Sequence, residues 1–322
     1  MRAVVIERYG TAEALGLKEV PAPRPKTGEV LVRVHAASLN DWDWAMIQGR
    51  PFTARLLHGL LRPRVKIPGC DIAGRVEAVG TGVETLRPGD EVYGDLCQAG
   101  FGAFAEYACA PAAALGRKPS GMTFEQAAAI PQAGMLAVQG LVDVGGIRAG
   151  QKVLLNGAGG GVGTIALQLA KLHEVEVTAV DKEVKLEMLR TMGADHVVDY
   201  MEEDFTQSGR RYDLILDVKT DRSLLSYARA LNAGGTYATV GGDTARLLRV
   251  AALGSAMFRG SQKRLRVVGL KPNKDLAYVN ELFESGRLAP VIDRRYKLEE
   301  ACEAFRFFST GDYLGKIVVT ME

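Results

Sequence analysis

Residues 152–172 read KVLLNGAGGGVGTIALQLAKL, and this stretch decides the fold. An apolar run closes at Asn156 as a buried strand would. A glycine-rich turn follows, and an amphipathic helix opens at about Val162. Within the turn, Ala158-x-Gly160-x-x-Gly163 keeps the spacing G-x-G-x-x-G with Ala at its first position, and Gly157 precedes it. The physical demand is a sharp turn whose backbone approaches a pyrophosphate with no Cβ in the way. Gly163 lets the helix pack close to the strand, and Gly160, Gly161 and Val162 bring unsatisfied N–H groups to the positive end of the helix dipole. Such a spacing is weak evidence alone. Here strand, turn, helix and next strand follow in the required order, which implies a dinucleotide site.

The second strand, VEVTAVD, ends at Asp181. An acid at that point accepts hydrogen bonds from the adenine-ribose diol and disfavours a 2′-phosphate, which favours NADH. Lys182 and Lys185 follow at once, and either is placed to meet a 2′-phosphate, which favours NADPH; the plainer reading of both is a solvated helix start. The preference between NADH and NADPH therefore stays open. Beyond Asp181 the segments KEVKLEMLRTMG, HVVDY, YDLILDV, SLLSYARALN, TYATVGG and LRVVGL predict helices among strands. Apolar strands in such alternation mean an α/β chain with a doubly wound parallel sheet, the Rossmann arrangement.

Upstream the character differs. RAVVIE, EVLVRVHAA, IAGRVEAVG, DEVYGDL and AFAEYACAP are short strand-like runs punctuated by Gly and Pro, which predicts a small barrel or sandwich. The run from Phe124 to Val144 suits helices that Pro131 and Gly134 should break or kink. After Leu270 come two amphipathic helical segments and a closing strand, GKIVVTM.

The 322 residues exceed one usual core, so two domains are expected. With 47% hydrophobic and 24% charged residues, disorder is excluded. A net charge of +2 leaves no nucleic-acid footprint. The one local basic excess, at Arg55, Arg62, Arg64 and Lys66, reads as a solvated loop before a partner patch. Cys70, Cys97, Cys109 and Cys302 are scattered and predict no disulfide framework. No signal peptide and no spanning segment are legible, so a cytoplasmic protein without membrane partners is expected.

The segments AASLNDWDW, PGCDIAGRVEAVG, RPGDEVYGD, FGAFAEYA, AAIPQAG, NGAGGGVG, GADHVVDY, YDLILDV and GKIVV together resemble the zinc-independent quinone oxidoreductases of the medium-chain dehydrogenase/reductase superfamily. The resemblance covers nearly the whole chain. It implies a GroES-like β-barrel domain from residues 1–123 and 272–322, a Rossmann domain at 124–271, and an active site in the cleft between them. It further implies that Asn40 and Asp43 match an Asn-x-x-Asp beside the nicotinamide. By its own chemistry Asn40 is a candidate donor or cofactor anchor, and Asp43 an orienting group, because an ionised carboxylate cannot donate a proton. Lys185 matches a lysine that meets the 2′-phosphate, Tyr200 a tyrosine on the adenosine side, and Gly241 and Leu270 backbone positions along the nicotinamide. Asp181 and Leu136 depart from the relatives' pattern. The loop from Arg50 to Lys66 is longer than in the simplest members and either shapes the substrate pocket or decorates the surface.

Zinc-dependent alcohol dehydrogenases share this plan. Their first ligand cysteine would fall near Asn40 or Asp41, where there is no thiol, and their GHE turn reads Gly69-Cys70-Asp71. Two candidates without a partner make a poor zinc site, so no metal is expected. The expected function is NAD(P)H-dependent hydride transfer to a quinone or an α,β-unsaturated carbonyl. The alternatives are an alcohol dehydrogenase with an atypical metal site and a non-catalytic nicotinamide-binding sensor. Trp42 and Trp44 either wall the pocket or pack in the core, and Lys316 either reaches the site or, more commonly for such a lysine, is solvated. The four histidines receive no catalytic role. The segment from Arg246 to Lys263 suits either a substrate entrance or a subunit interface, and the family pattern implies a homodimer.

Overall fold

The structure, a computed structural model, describes all residues except Asp243, 254–259, Ser261 and Glu322. Residues 254–259 and 261, part of the segment expected to form an entrance or interface, therefore lie outside the described residues. The strands are β1 (Arg2–Ile6), β2 (Leu15–Glu19), β3 (Glu29–Ser38), β4 (Asp71–Val79), β5 (Glu91–Asp95), β6 (Tyr107–Pro111), β7 (Gly116–Arg117), β8 (Lys152–Asn156), β9 (Glu176–Asp181), β10 (His196–Asp199), β11 (Tyr212–Asp217), β12 (Leu231–Thr239), β13 (Arg264–Val267), β14 (Ile292–Lys297) and β15 (Lys316–Thr320). The chain divides into two compact units.

The first unit comprises Met1–Gln132, Pro272–Gly286 and Pro290–Glu322. Its main sheet runs β14-β15-β3-β4-β5-β7, with β6 also on β3. β3 alternates Val30, Val32 and Val34 into the core, against Phe104, Phe305, Ile317 and Val319. One edge of β3 is shared: Glu29–Arg33 pair with β6, and Ala36–Ser38 pair antiparallel with β15. Strands far apart in the sequence, β3 and β15, thus meet in one sheet, while β1 pairs with β2 in a separate two-stranded sheet.

The helix Phe124–Ala128 also belongs to this unit, so the structural division falls after Gln132 rather than at residue 123. The reason is packing: Phe124 stacks on His35 of β3 with ring centroids 4.2 Å apart. Pro131 ends that helical run and opens the next helix, Pro131–Val138, where a missing N–H is harmless. Gly134, expected to break or kink the helix, continues it, and the run goes on as a π-helical segment over Gln139–Val144.

The second unit, Ala133–Lys271 with Arg287–Ala289, is built on a six-stranded parallel sheet in the order β10-β9-β8-β11-β12-β13. The order reverses between β8 and β11, the switch point where such sheets bind ligands. Registers align the strand ends: Asp199 faces Asp181, Asn156 faces Asp217, Asp217 faces Thr239, and Thr239 faces Val267. One edge of the sheet therefore presents a row of polar side chains. Among the described residues no helix is long and apolar enough to cross a membrane.

Candidate functional site

In the second unit the glycine turn closes β8. Gly157 sits at φ +84°, which a side chain resists. The N–H groups of Gly157 and Ala158 both donate to the Val180 carbonyl, at 3.0 and 3.1 Å, which ties the turn to β9. The helix Gly161–Leu172 begins beyond Gly160, one residue before the predicted start at Val162. A Cβ on Gly163 would lie 2.3 Å from the Gly157 carbonyl oxygen, so only glycine permits this approach of helix to turn. The first N–H groups of that helix lack intrahelical partners and carry the positive end of its dipole, and the cradle fits a pyrophosphate.

Asp181 lies at the end of β9, as expected, but it faces inward. Its Oδ2 accepts from the Gly159 N–H at 2.8 Å and its Oδ1 from the Lys182 N–H at 2.9 Å. Lys185 is not part of a solvated helix start: it is buried, with Nζ 3.5 Å from Asp181 Oδ1. Burial pulls its pKa below the usual lysine value, and Asp181 offsets part of that fall. A Cβ on Gly159 would lie 2.5 Å from Lys185 Cδ, so the lysine stem packs directly on the glycine turn. Lys182 caps the helix Glu183–Thr191 and is half-buried. Tyr200 is half-buried, its N–H donating to the Asp181 carbonyl at 3.3 Å. Gly241 and Leu270 follow the ends of β12 and β13 on the same edge.

A buried network beneath this edge escaped the sequence reading. Asn156 Nδ2 donates to Asp217 Oδ1 at 2.9 Å and to Asp221 Oδ1 at 3.0 Å, and Tyr237 Oη donates to Asp217 Oδ2 at 2.6 Å. Arg246 Nη2 reaches the Tyr237 hydroxyl at 2.8 Å, and its Nη1 holds the carbonyls of Thr220 and Arg222 at 3.1 and 2.6 Å. Arg246 thus fixes the loop after β11, whose Lys219 stem lies against Gly157. Parallel pairing collects these groups, and no local pattern announces them.

The first unit carries the second constellation. Ser38 ends β3, Asn40 opens the helix Asp41–Gln48, Asp71 begins β4 and Lys316 begins β15. Asp71 is fully buried. Its Oδ2 accepts from Ser38 Oγ and Asn40 Nδ2, both at 3.0 Å, and lies 3.4 Å from Lys316 Nζ. Its Oδ1 accepts from the Gln132 N–H at 3.0 Å. Lys316 is 4% exposed, against the solvated role common for such a lysine. Its ammonium donates to the Leu39 carbonyl at 2.9 Å and to Asn40 Oδ1 at 2.6 Å. The cause is the pairing of β15 with β3, which turns Lys316 inward.

Asn40 and Asp43 come together as the resemblance implies: the Asn40 N–H donates to Asp43 Oδ2 at 3.0 Å. Burial pushes the Asp43 carboxyl up to about 7, the Cys70 thiol beside it offsets part of that rise, and Asp71 adds to it. Asp43 Oδ1 is buried with no hydrogen-bond partner. At about 7 the carboxyl is partly protonated near neutral pH, while its Oδ2 holds the Asn40 N–H in place. Asp95, in register with Asp71, is raised to about 6, by burial first and then by Asp71. Burial likewise pushes the Cys70 thiol well up. Among the described residues, no three His, Cys, Asp or Glu side chains are grouped as a metal ion would require.

Comparison with known proteins follows this geometry. Residues 26–120 match the alcohol dehydrogenase GroES-like domain, and residues 192–319 match the zinc-binding dehydrogenase domain. A chloroplastic quinone-oxidoreductase of Triphysaria versicolor, QR1, is 33% identical over 99% of this chain and 98% of its own. An NADPH-dependent alkenal/one oxidoreductase of Arabidopsis thaliana is 31% identical over 99% of this chain and 79% of its own. The solved structure of a quinone oxidoreductase from Coxiella burnetii superposes with a TM-score of 0.90 at 29% identity, covering 100% of this chain and 99% of its own. With its glycine cradle on a reversed parallel sheet and an N-terminal domain closed by its last strand, the chain belongs to the quinone oxidoreductase family of the medium-chain dehydrogenase/reductase superfamily.

Proposed function

We propose that this protein is an NAD(P)H-dependent reductase of quinones and α,β-unsaturated carbonyls that works without catalytic zinc. The observation that carries the reading is the ammonium of Lys316, held by Asn40 Oδ1, the Leu39 carbonyl and Asp71. A fixed cation already compensates the carboxylate there, so the cluster is a poor cage for a divalent metal. Quinones and enones are electrophilic as they stand and need no Lewis acid to generate an alkoxide.

The nicotinamide, when bound, supplies the hydride. The glycine turn and the dipole of the helix Gly161–Leu172 hold the pyrophosphate, and the sheet edge from Asp181 to Gly241 receives the rest of the dinucleotide. In the Asn40 cluster both partners are committed: Asn40 Nδ2 donates to Asp71 and Asn40 Oδ1 accepts from Lys316. Asn40 and Lys316 act as positioning residues that keep the turn after β3 rigid. Asp43, pushed up to about 7 by burial, is the candidate proton carrier of this cluster.

The test is oxidation of NADH and of NADPH, separately, by metal-stripped protein with a panel of quinones and enones. Turnover without metal supports the reading. Activity that returns only with zinc makes the protein an alcohol dehydrogenase of unusual ligation, and cofactor binding without turnover makes it a sensor. We further infer a homodimer. The supporting feature is the outer edge of β13, which pairs with β12 alone among the described strands; sedimentation of the purified chain tests it.

A further inference from the structure

From Trp44 to Cys70 the chain contains Arg50, Arg55, Arg62, Arg64 and Lys66 and no acidic residue. The whole chain is only +2 and this stretch alone carries five cations, so the remainder is net negative and the net positive excess lies here. The same stretch exposes its large apolar side chains: Phe52 is 65% exposed, Leu56 66%, Leu60 51% and Leu61 86%. Single exposed leucines are ordinary, but several within ten residues are not.

This segment is built, not loose. A short helix, Arg55–His58, follows a 3₁₀ turn at Phe52–Ala54. The Arg55 guanidinium donates to the carbonyls of Gly49 and Gln48 at 2.9 and 3.2 Å and lies 4.3 Å from the Tyr9 ring centroid. The Tyr9 hydroxyl donates to the Gly59 carbonyl at 2.6 Å, and the Arg64 N–H returns to the His58 carbonyl at 2.7 Å. Arg55 is therefore spent inward as a clamp. Arg50, Arg62, Arg64 and Lys66 are exposed in the same stretch as the exposed apolar side chains. Glu7 approaches Lys66 and Arg62 but is already paired with Lys18.

We propose that this stretch is a docking surface for an anionic lipid bilayer. A bilayer interface takes both halves of the pattern: the leucines and Phe52 enter the acyl boundary while arginine and lysine meet lipid phosphates. A second copy fits worse, because a two-fold contact would set the same cations against each other. A surface contact departs from the expected lack of membrane partners, which rested on the want of a spanning segment that such a contact does not need. The inference is independent of the hydride-transfer reading, since binding is measured without turnover.

The experiment is co-sedimentation of the full chain with phosphatidylcholine vesicles, with and without phosphatidylglycerol. Binding to the anionic vesicles, weakened by salt, is expected. Each cation near an anionic surface contributes about fivefold in partitioning. The double variant Arg50→Gln/Arg62→Gln should lose roughly twenty-fold, and Leu60→Ser/Leu61→Ser should lose at least about tenfold. An unchanged thermal midpoint in each shows that the fold is intact. Equal partitioning onto neutral and anionic vesicles overturns the proposal. So does parental binding by both variants, or loss of a dimer on Leu60→Ser/Leu61→Ser.

Discussion

Lys185 Nζ lies 3.5 Å from Asp181 Oδ1, and the two side chains are 1% and 2% exposed. The residue that would attract a 2′-phosphate is thus held by the residue that would repel one. Asp181→Ser should release the lysine and remove the opposing charge. The ratio of kcat/KM for NADPH over NADH should rise by at least about tenfold, the factor that one strengthened charge-assisted contact supplies. Steady-state kinetics with both cofactors checks this, and an unchanged ratio would mean that other groups set the preference.

Lys316→Met removes one partner of a buried ion pair and leaves Asp71 without its ammonium. Such a loss costs about 3–5 kcal/mol, to be read as a lower urea midpoint. Lys316 also lowers the Asp43 pKa, so the titration of Asp43 should move upward in the variant. Carboxyl-specific infrared titration reports that shift, which a purely steric defect would not produce.

The raised Asp43 carboxyl has a consequence for stability. The ordinary aspartate pKa is about 3.9, whereas the folded group stands at about 7. Between these values the native state binds more protons than the unfolded chain, so stability falls as pH rises. The contribution is fully present below about pH 4 and is lost through pH 7. Asp43→Asn keeps an acceptor for the Asn40 N–H and abolishes the titration. Its thermal midpoint should gain on the parent between those pH values and run parallel above them; parallel curves throughout would refute the assignment.

Gly163→Ala should damage the cradle. Its Cβ would press on the carbonyls of Gly157 and Ala158 at 2.3 and 2.4 Å, and neither is free to retreat while the turn is bonded to β9. Cofactor affinity measured by calorimetry should fall at least about tenfold, with a lower thermal midpoint, because overpacking costs about 1–3 kcal/mol. Gly121→Ala, with open space at its Cβ, is the control.

The Rossmann half was readable because each of its signals is local: a buried run, a turn and a helix within one stretch of chain. Asn40 with Asp43 came only from the family resemblance, and what the structure adds is their hydrogen bond. Lys316 was not, because its partners Asn40 and Asp71 lie 276 and 245 residues away and only strand pairing joins them. Arg246 was missed likewise, since it meets Asp217 across 29 residues through parallel strands. Arg55 was misjudged as part of a solvated basic run, because nothing in a run of like charges says which cation folds back as a clamp. Asp181 was placed correctly, yet its inward turn depends on the Gly159 N–H and on Lys185 packing beneath it.

The pairing of β15 with β3 also orders events during synthesis. The parallel sheet of the second unit lies within a nearly continuous span and has all its strands once β13 has left the ribosome. The first unit has made β3 and β4 by then, but it waits for β15 to complete the β3 edge and to deliver the ammonium for Asp71. Until that moment the nascent chain carries a buried-type carboxylate without its counter-ion and a strand edge open to other chains. Of the strands in this sheet β15 comes last in chain order, so its arrival closes the β3 edge, and slowing its release should reveal that interval.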